Sequence, residues 1–375
     1  MKMAIVYDAI IAKGGAERVL MYFFQAFPKA KYYSLVYLKN NTYPEFQSHE
    51  IHTSWLNNII KSEKQFKQLF FPVGIFAASQ MDLTDYDVVI QLTTHCAKYV
   101  KTKPDALLIT YCFTPFRLVW NSESYRQYLD AFYSKRLLMN GIISLMRSYD
   151  YKKAQKSTIY WAMTDETANR IKKAYNKTVT KVLNPPIDCS KFYASKIKKD
   201  YFLMVSRLEE YKKVELVINV FNDNGKELII VGNGSQKSYL RSIAKNNIIF
   251  HENVDDFLLR RFYSEAKGLI FPQHEDYGLT PLEANASGCP VIAYSKGGVL
   301  ETMVPHTGDD QKCTALFFEE QTENSLLECI KKFEMLTFDP HFIRKHAERF
   351  DIPIFINEIQ TIVDTEIKIF YGNSI

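Results

Sequence analysis

Short apolar runs alternate with stretches of helical periodicity along the chain, and the alternation falls into two series. Apolar, β-branched runs separated by amphipathic segments are typical of a parallel sheet covered by helices. We therefore predict an α/β protein with two doubly wound, Rossmann-like domains that face each other across a cleft. The predicted strands of the first series are residues 3–7, 32–36, 88–92, 107–111 and 159–163. Those of the second series are residues 201–206, 227–231, 248–251, 268–271 and 290–293.

The two series are separated by residues 184–199, which contain two adjacent prolines and several lysines. Proline interrupts helices and lysine favours solvent, so this stretch is predicted to link an N-terminal domain, residues 1–190, to a C-terminal domain, residues 191–352. The final stretch, residues 353–375, carries apolar side chains at helical spacing. We expect an amphipathic helix there that packs against an apolar surface.

The composition is that of a cytoplasmic globular protein. Of the 375 residues, 47% are apolar and 24% are charged, and no run approaches the roughly 18 apolar residues of a membrane helix. The first residues lack the apolar stretch of a signal peptide, so we expect no secretion by that route. The six cysteines are scattered without a CxxC pair. They are expected to be reduced, buried thiols.

Charge is distributed unevenly between the two predicted domains. Residues 1–190 contain 25 of the 47 lysines and arginines and 15 of the 42 acidic residues, a net charge of +10. The rest of the chain has 22 lysines and arginines and 27 acidic residues, a net charge of −5. A basic N-terminal half suits an anionic partner, such as a phospholipid surface, a phosphorylated acceptor or a nucleic acid. The alternative is an ordinary solvated surface.

Candidate chemistry appears where predicted strands end. Gly14 and Gly15 open the first helix, where backbone N–H groups can hold a phosphate. The alternative is a simple tight turn. The pair fits neither the dinucleotide fingerprint nor the P-loop.

The most specific local pattern is a pair of glutamates, Glu275 and Glu283, eight residues apart across a strand end, a loop and a helix start. If the helix begins near Leu279 or Thr280, its first N–H groups can receive a diphosphate. One carboxylate can then accept hydrogen bonds from sugar hydroxyls and the other from a ribose diol. The alternative makes Glu275 a loop residue and Glu283 a helix-surface charge.

Two cations follow the first strand of the second series, Arg207 and Lys212. They suit a departing nucleoside diphosphate, on which negative charge grows as the glycosidic bond breaks. Gly232, in Val231-Gly232-Asn233-Gly234, would let a nucleotide approach the backbone.

Together these motifs resemble the retaining glycosyltransferases of family 4, which have the GT-B fold, and the resemblance covers nearly the whole chain. The glutamate pair with its upstream Arg and Lys is the specific part. The form of residues 275–278 and 293–298 is similar to bacterial members that build O-antigen, lipopolysaccharide or exopolysaccharide chains, often as mannosyltransferases. The matching segments are residues 14–19, 114–120, Arg207 with Lys212, 231–234, 275–283 and 297–302.

The resemblance implies roles for these residues. Arg207 and Lys212 hold the diphosphate, Glu275 contacts the donor sugar and acts in catalysis with them, and Glu283 binds the ribose. The final helix is expected to cross back to the N-terminal domain. The full predicted donor-binding set is Gly14, Gly15, Arg207, Lys212, Gly232, Val254, Tyr277, Gly278, Leu279, Thr280 and Glu283.

The acceptor side is predicted less directly. His95 follows the strand at 88–92, and Arg117 lies in a Thr-Pro motif in which relatives commonly have a histidine at the position of Phe113. Each is a candidate acceptor-binding residue. The alternatives are a structural helix-start histidine and a structural ion pair.

No metal is expected. Asp85 and Asp87 form a D-x-D pattern, but they precede an apolar strand and so belong at the amino end of the sheet, away from the predicted site. Arginine, lysine and helix N-termini are expected to balance the diphosphate charge without a divalent cation.

Residues 59–71 alternate basic and bulky apolar side chains. They predict either a peripheral contact with an anionic membrane, which would suit a polyprenyl-diphosphate-linked acceptor, or a core-facing amphipathic helix with solvated lysines.

The function predicted is retaining hexosyl transfer from a nucleotide diphosphate sugar, GDP-mannose favoured and a UDP-sugar as the alternative, to a glycan or lipid-linked saccharide. Domain closure would align the anomeric carbon, and no enzymatic nucleophile is needed. A phosphorolytic or hydrolytic enzyme would share the architecture. A nucleic-acid or anionic-lipid binding protein is the non-enzymatic alternative, and the set of Arg207, Lys212, Glu275 and Glu283 argues against it.

Overall fold

The structure, a computed structural model, describes residues 1–120 and 136–372. Contacts divide the chain into two units, the first formed by Met1–Pro185 with Phe355–Ile375 and the second by Pro186–Ile354. Each unit is built on one sheet in which every strand pair is parallel. The predicted α/β class with two Rossmann-like domains is confirmed.

The sheet of the first unit has seven strands in the order β3-β2-β1-β4-β5-β6-β7. The central strands β4 and β5 are buried at every residue, as expected for strands covered on both faces. The strands are β1 (Met3–Tyr7), β2 (Lys31–Ser34), β3 (Ile51–Thr53), β4 (Val88–Thr93), β5 (Leu107–Cys112), β6 (Ile159–Ala162) and β7 (Lys181–Val182).

In the described part of this unit, six helices accompany the strands, and a seventh comes from the end of the chain. The first is preceded by Gly14, as the glycine pair predicts. They are α1 (Gly15–Ala26), α2 (Glu63–Leu69), α3 (Ile75–Gln80), α4 (Arg117–Trp120), α5 (Arg136–Ala154), α6 (Asp165–Tyr175) and, from the end of the chain, α14 (Ile352–Tyr371).

The terminal helix α14 packs on the first unit through an apolar stripe. Phe355, Ile359, Val363 and Ile367 recur every four residues and are all buried. The Phe355 ring lies edge-on to the rings of two aromatic residues of α1 at 6.2 and 6.3 Å between centroids. The prediction that the final helix returns to the N-terminal domain is confirmed.

The second unit has six strands in the order β10-β9-β8-β11-β12-β13. The strands are β8 (Tyr201–Val205), β9 (Glu227–Val231), β10 (Ile248–His251), β11 (Gly268–Phe271), β12 (Val291–Tyr294) and β13 (Ala315–Phe318). The helices are α7 (Val214–Asn224), α8 (Lys237–Ile243), α9 (Asp256–Glu265), α10 (Leu279–Ala286), α11 (Val299–Thr302), α12 (Glu323–Glu334) and α13 (Pro340–Ala347).

The segment after the two prolines is held against the second unit. Ile187 and Cys189 are buried, and Arg344 of α13 donates to the carbonyl of Phe192 at 2.8 Å. The expectation of a solvated linker over residues 184–199 therefore needs correction, because apolar side chains and an arginine fix its first half.

The long helices are amphipathic. In α14, charged and polar side chains such as Glu358, Asp364 and Lys368 lie between the buried residues, and the last turn of α5 contains two consecutive lysines. Within residues 1–120 and 136–372, no helix has both the length and the apolar character needed to cross a membrane.

The six cysteines are all buried free thiols. Burial raises the pKa of the Cys289 and Cys313 thiols to about 11 and that of Cys112, Cys189 and Cys329 to about 12. These groups therefore stay protonated at neutral pH. Their burial agrees with the prediction.

Candidate active site

Each sheet has a point at which the chain reverses the direction in which it adds strands. In the first unit this point lies between β1 and β4, and in the second between β8 and β11. Ligands of open α/β sheets bind outside the carboxyl ends of the strands at such points. The residues predicted as catalytic follow β8 and β11.

Lys212 and Glu275 form an ion pair at the switch point of the second sheet. Lys212 ends a short 3-10 turn after β8, and Glu275 lies in the loop after β11. The Lys212 side chain is 10% exposed, whereas the Glu275 side chain is 27% exposed. The structure thus brings into direct contact two residues predicted from separate motifs.

Tyr211 joins the two predicted cations. Arg207 is exposed, and its Nη2 donates to the Tyr211 hydroxyl at 2.5 Å. The Arg207 guanidinium and the Lys212 ammonium lie 5.9 and 5.0 Å from the centre of the Tyr211 ring, within reach of cation–π attraction. Sequence reasoning missed Tyr211, although it sits between the two cations in the sequence.

The glycines of residues 231–234 serve the packing of two loops. A Cβ atom at Gly232 would overlap the carbonyl oxygen of Ser206, and one at Gly234 would overlap that of Leu208. The Leu208 N–H donates to the Asn233 carbonyl at 3.0 Å. The loop that carries Arg207 is therefore held by direct backbone contact. A nucleotide contact at Gly232 stays a prediction.

We expect Gly232→Ala to destabilise the protein by about 1–3 kcal/mol, because the added methyl has no space beside Ser206. Gly141→Ala is the matched control, since a Cβ there meets nothing within 4 Å. This substitution should stabilise α5 by up to about 1 kcal/mol, because alanine favours helix more than glycine does. Thermal unfolding of both variants measures the difference. Equal melting temperatures would contradict the close approach of the two loops.

Helix α10 begins at Leu279, where the sequence places it. Gly278 precedes it with φ +103°, a conformation that glycine adopts without penalty. Tyr277 is buried, and the Gly298 N–H donates to the Glu275 carbonyl at 3.0 Å. The turn into α10 is thus fixed, and its first N–H groups have no partner within the helix.

Glu283 lies in α10, partly exposed. The hydroxyl of Tyr263, in α9, donates to its Oε2 at 3.0 Å. Val254 is partly exposed in the loop between β10 and α9. Strands β9 and β8 separate β10 from β11, so the structure places Val254 further along the sheet edge than the other predicted donor residues.

At α1, a carboxyl group lies beside the predicted phosphate site. The side chain of Glu17 occupies the space that a Cβ at Gly14 would need. Burial raises the pKa of Glu17 to about 7, and the Tyr7 hydroxyl hydrogen-bonds it. Phosphate binding at Gly14 and Gly15 stays a prediction.

Asp8 organises the loop that carries His95. The buried carboxylate accepts hydrogen bonds from the N–H groups of His95, Cys96 and Ala97 at 2.8, 2.7 and 2.6 Å. Burial opposes its charge, but the hydrogen bond and charge of His95 with the amides of Thr94 and Ala97 hold the pKa of Asp8 below its usual range. Asp8 directly follows β1, a position that could have identified it from sequence.

His95 and Arg117 occupy different surroundings. The His95 side chain is 36% exposed, and its ring packs edge-on to Phe70 and Phe116 at 5.4 Å. Arg117 is exposed at the start of α4. Acceptor binding by either residue stays a prediction.

Asp87 lies at the amino end of the first sheet, as predicted. It accepts from Lys103 Nζ at 2.6 Å and from the backbone N–H of Lys2 at 2.7 Å. Its surroundings are those of a surface ion pair. In the described part of the chain, histidine, cysteine and acidic side chains do not cluster in groups of three or more that could hold a metal ion.

Comparison with known proteins relates this site to a family. Residues 189–350 match the sequence profile described as "Glycosyl transferases group 1". The chain is 25% identical over 191 residues to the glycogen synthase of Mycoplasma mobile, covering 44% of this chain and 40% of that protein. It is 27% identical over 205 residues to the O-antigen chain mannosyltransferase RfbU of Salmonella typhimurium, covering 52% and 55%. The chain thus spans about half the length of these curated relatives.

Solved structures show the same fold over nearly the full length. HepE of Anabaena, solved in complex with UDP and glucose, superposes with a TM-score of 0.66 at 14% sequence identity, covering 97% of this chain and 100% of that chain. The resemblance drawn from the motifs is therefore confirmed at the level of the fold. The chain has the GT-B fold, and its residues 189–350 match the profile of the glycosyl transferases group 1.

Proposed function

We propose that the protein is a glycosyltransferase that moves a hexose from a nucleotide diphosphate sugar to a saccharide acceptor. The observation that carries the proposal is the contact between Lys212 and Glu275. In such a donor the anomeric carbon is bonded to a phosphate oxygen. A group that holds the phosphate and a group that holds the sugar ring must therefore lie close together, as these two side chains do.

In this proposal the second unit binds the donor. Lys212 and Arg207 stabilise the charge that grows on the departing diphosphate, and Glu275 accepts hydrogen bonds from sugar hydroxyls. The N-terminus of α10 receives a phosphate, and Glu283 accepts from the ribose. Phosphate binding by the N–H groups of Gly14 and Gly15 stays a prediction from the sequence.

We propose retention of the anomeric configuration. The departing phosphate deprotonates the acceptor hydroxyl on the same face of the sugar, and the charge on its oxygen is balanced by Arg207 and Lys212. No side chain has to form a covalent intermediate. NMR of the anomeric proton in the first product tests this, and an inverted linkage would exclude it.

The donor favoured is GDP-mannose, with a UDP-hexose as the alternative. The relative RfbU is named a mannosyltransferase, whereas HepE was solved with UDP and glucose. Calorimetry with GDP-mannose, UDP-glucose and UDP-galactose separates the two. Release of nucleoside diphosphate with and without an acceptor saccharide distinguishes transfer from phosphorolysis or hydrolysis, and absence of nucleotide-sugar binding would refute the proposal.

Turnover is expected to continue in EDTA, because Arg207, Lys212 and the N-terminus of α10 supply the positive charge that a divalent cation would otherwise provide. The initial rate is measured in EDTA and again after adding manganese. The matched sample is protein incubated in buffer alone. A complete loss of turnover in EDTA that manganese restores would contradict this expectation.

For the acceptor we propose a glycan or a polyprenyl-diphosphate-linked saccharide, bound by the basic first unit of a cytoplasmic protein. In residues 59–71, Ile60, Phe66 and Phe70 are buried, while Lys61 and Lys64 are exposed. This supports the core-facing alternative for these three side chains, whereas Ile59 and Leu69 are exposed. The side chains of Lys67 and Phe71 lie outside the described residues, and contact with an anionic membrane stays a prediction.

A further inference from the structure

Tyr263 is a buried residue that hydrogen-bonds two residues of the candidate site. It lies in α9, and its side chain is fully buried. Its hydroxyl donates to Glu283 Oε2 at 3.0 Å and also hydrogen-bonds the hydroxyl of Thr280. Thr280 and Glu283 are three residues apart in α10, so they lie on the same face of that helix. One buried hydroxyl therefore connects the first turn of α10 with the carboxylate proposed to bind ribose.

Packing alone does not explain this hydroxyl. The ring lies edge-on to Phe192, with 6.1 Å between centroids, and a phenylalanine would fill the same space. A buried hydroxyl is costly unless it is hydrogen-bonded. Two other buried tyrosines of the described chain satisfy theirs with backbone carbonyls, Tyr201 with that of Phe262 at 3.0 Å and Tyr160 with that of Ala154 at 3.0 Å. The Tyr263 hydroxyl instead holds a side chain of the candidate site.

The direction of the hydrogen bond to Glu283 is fixed. Burial, and then the charge of Glu283, raise the pKa of Tyr263 well above its usual range. The hydroxyl therefore keeps its proton and donates. A glutamate side chain has several rotatable bonds, and ordering it on ligand binding costs conformational entropy. A carboxylate that is already held at one oxygen loses less conformational entropy when it binds a ligand.

We propose that Tyr263 is a positioning residue, which orients the Glu283 carboxylate to accept hydrogen bonds from the ribose hydroxyls of a nucleoside diphosphate. This inference rests on the proposed function, which places the ribose at Glu283. The inference goes beyond that function, because it assigns specificity for the ribose diol to a residue that touches no substrate. In this proposal Tyr263 acts through Glu283.

The test uses the full-length protein with UDP and GDP as probes, each compared with its 2′,3′-dideoxy analogue by calorimetry. Tyr263→Phe keeps the ring and removes only the hydroxyl. We expect it to weaken binding of the better nucleotide about tenfold, the effect of one hydrogen bond to a charged group. For the dideoxy analogue the expected change is less than about twofold, because the contact that Tyr263 supports is already absent.

Tyr201→Phe is the matched control, since it also removes a buried hydroxyl that donates at 3.0 Å in the same unit. It should alter neither affinity. If Tyr263→Phe weakens binding of the nucleotide and of its dideoxy analogue equally, its role is merely structural. If binding of both is unchanged, Tyr263 has no role. Either result overturns the inference. If the unmodified protein binds neither UDP nor GDP, the proposed function itself fails. If it binds them but Tyr263→Phe has no selective effect, only the inference fails.

Discussion

Glu275→Ala is expected to lower the turnover number about 100-fold or more while the protein stays folded. The carboxylate is proposed to hold the sugar hydroxyls as the glycosidic bond breaks, and it lies in contact with the cation proposed to hold the phosphate. Steady-state release of nucleoside diphosphate measures the rate. Circular dichroism and thermal unfolding report whether the fold is retained.

The control for Glu275 is Glu328→Ala. Glu328 is an exposed residue of α12, and both side chains of its ion pair with Lys331 are exposed. Loss of this ion pair should therefore change neither the turnover rate nor the stability appreciably. Glu275→Gln keeps the ability to accept hydrogen bonds and should fall between the two. A nearly normal rate for Glu275→Ala would remove the residue from the site.

Lys212→Met is expected to reduce turnover by about 10²–10³-fold, because the methionine keeps much of the lysine stem but not the charge that faces the departing diphosphate. The loss should appear mainly in kcat, since the charge on the diphosphate is greatest in the transition state. Some loss of stability is also expected, because the substitution leaves a partly buried Glu275 without this partner.

Lys213→Met provides the comparison for Lys212. Lys213 is exposed and adjacent in sequence, so it tests for a general loss of positive charge. The double variant Lys212→Met with Glu275→Ala should lose less than the product of the two single effects, because residues in contact act as a unit. Multiplicative losses would show that the two side chains act independently.

The fold could be predicted because buried strands leave a strong pattern. The observed bounds equal the predicted ones for β1, β9, β10 and β11. Strands β3, β7 and β13 were missed. The first two lie at the edges of their sheet and contain polar residues such as His52 and Lys181, so no apolar run marks them.

Only those parts of the candidate site that belong to a local sequence motif could be predicted. The spacing of Glu275 and Glu283 placed the start of α10 correctly, because a helix start after a strand fixes which residues lie on the loop. The spacing contained no information about Tyr263, which sits twenty residues before Glu283 on a different helix. Such contacts depend on how helices pack, and a single sequence shows no trace of that.

The Glu17 carboxyl shows the same limit in the first unit. The glycine pair predicts a helix start, and the helix is there. Whether an anion can approach depends on a buried side chain two residues into the helix, whose pKa is raised to about 7 by burial. Sequence spacing predicts the backbone and leaves the charge of such a group undetermined.

The burial of all six thiols makes the protein convenient for optical labelling. No native cysteine should compete for a maleimide dye under mild conditions, since none is exposed and none has a lowered pKa. Exposed serines at Ser48 and Ser238 lie in different units. Cysteines introduced there would carry a fluorescent pair, and energy transfer could then follow the distance between the units as a nucleotide sugar is added.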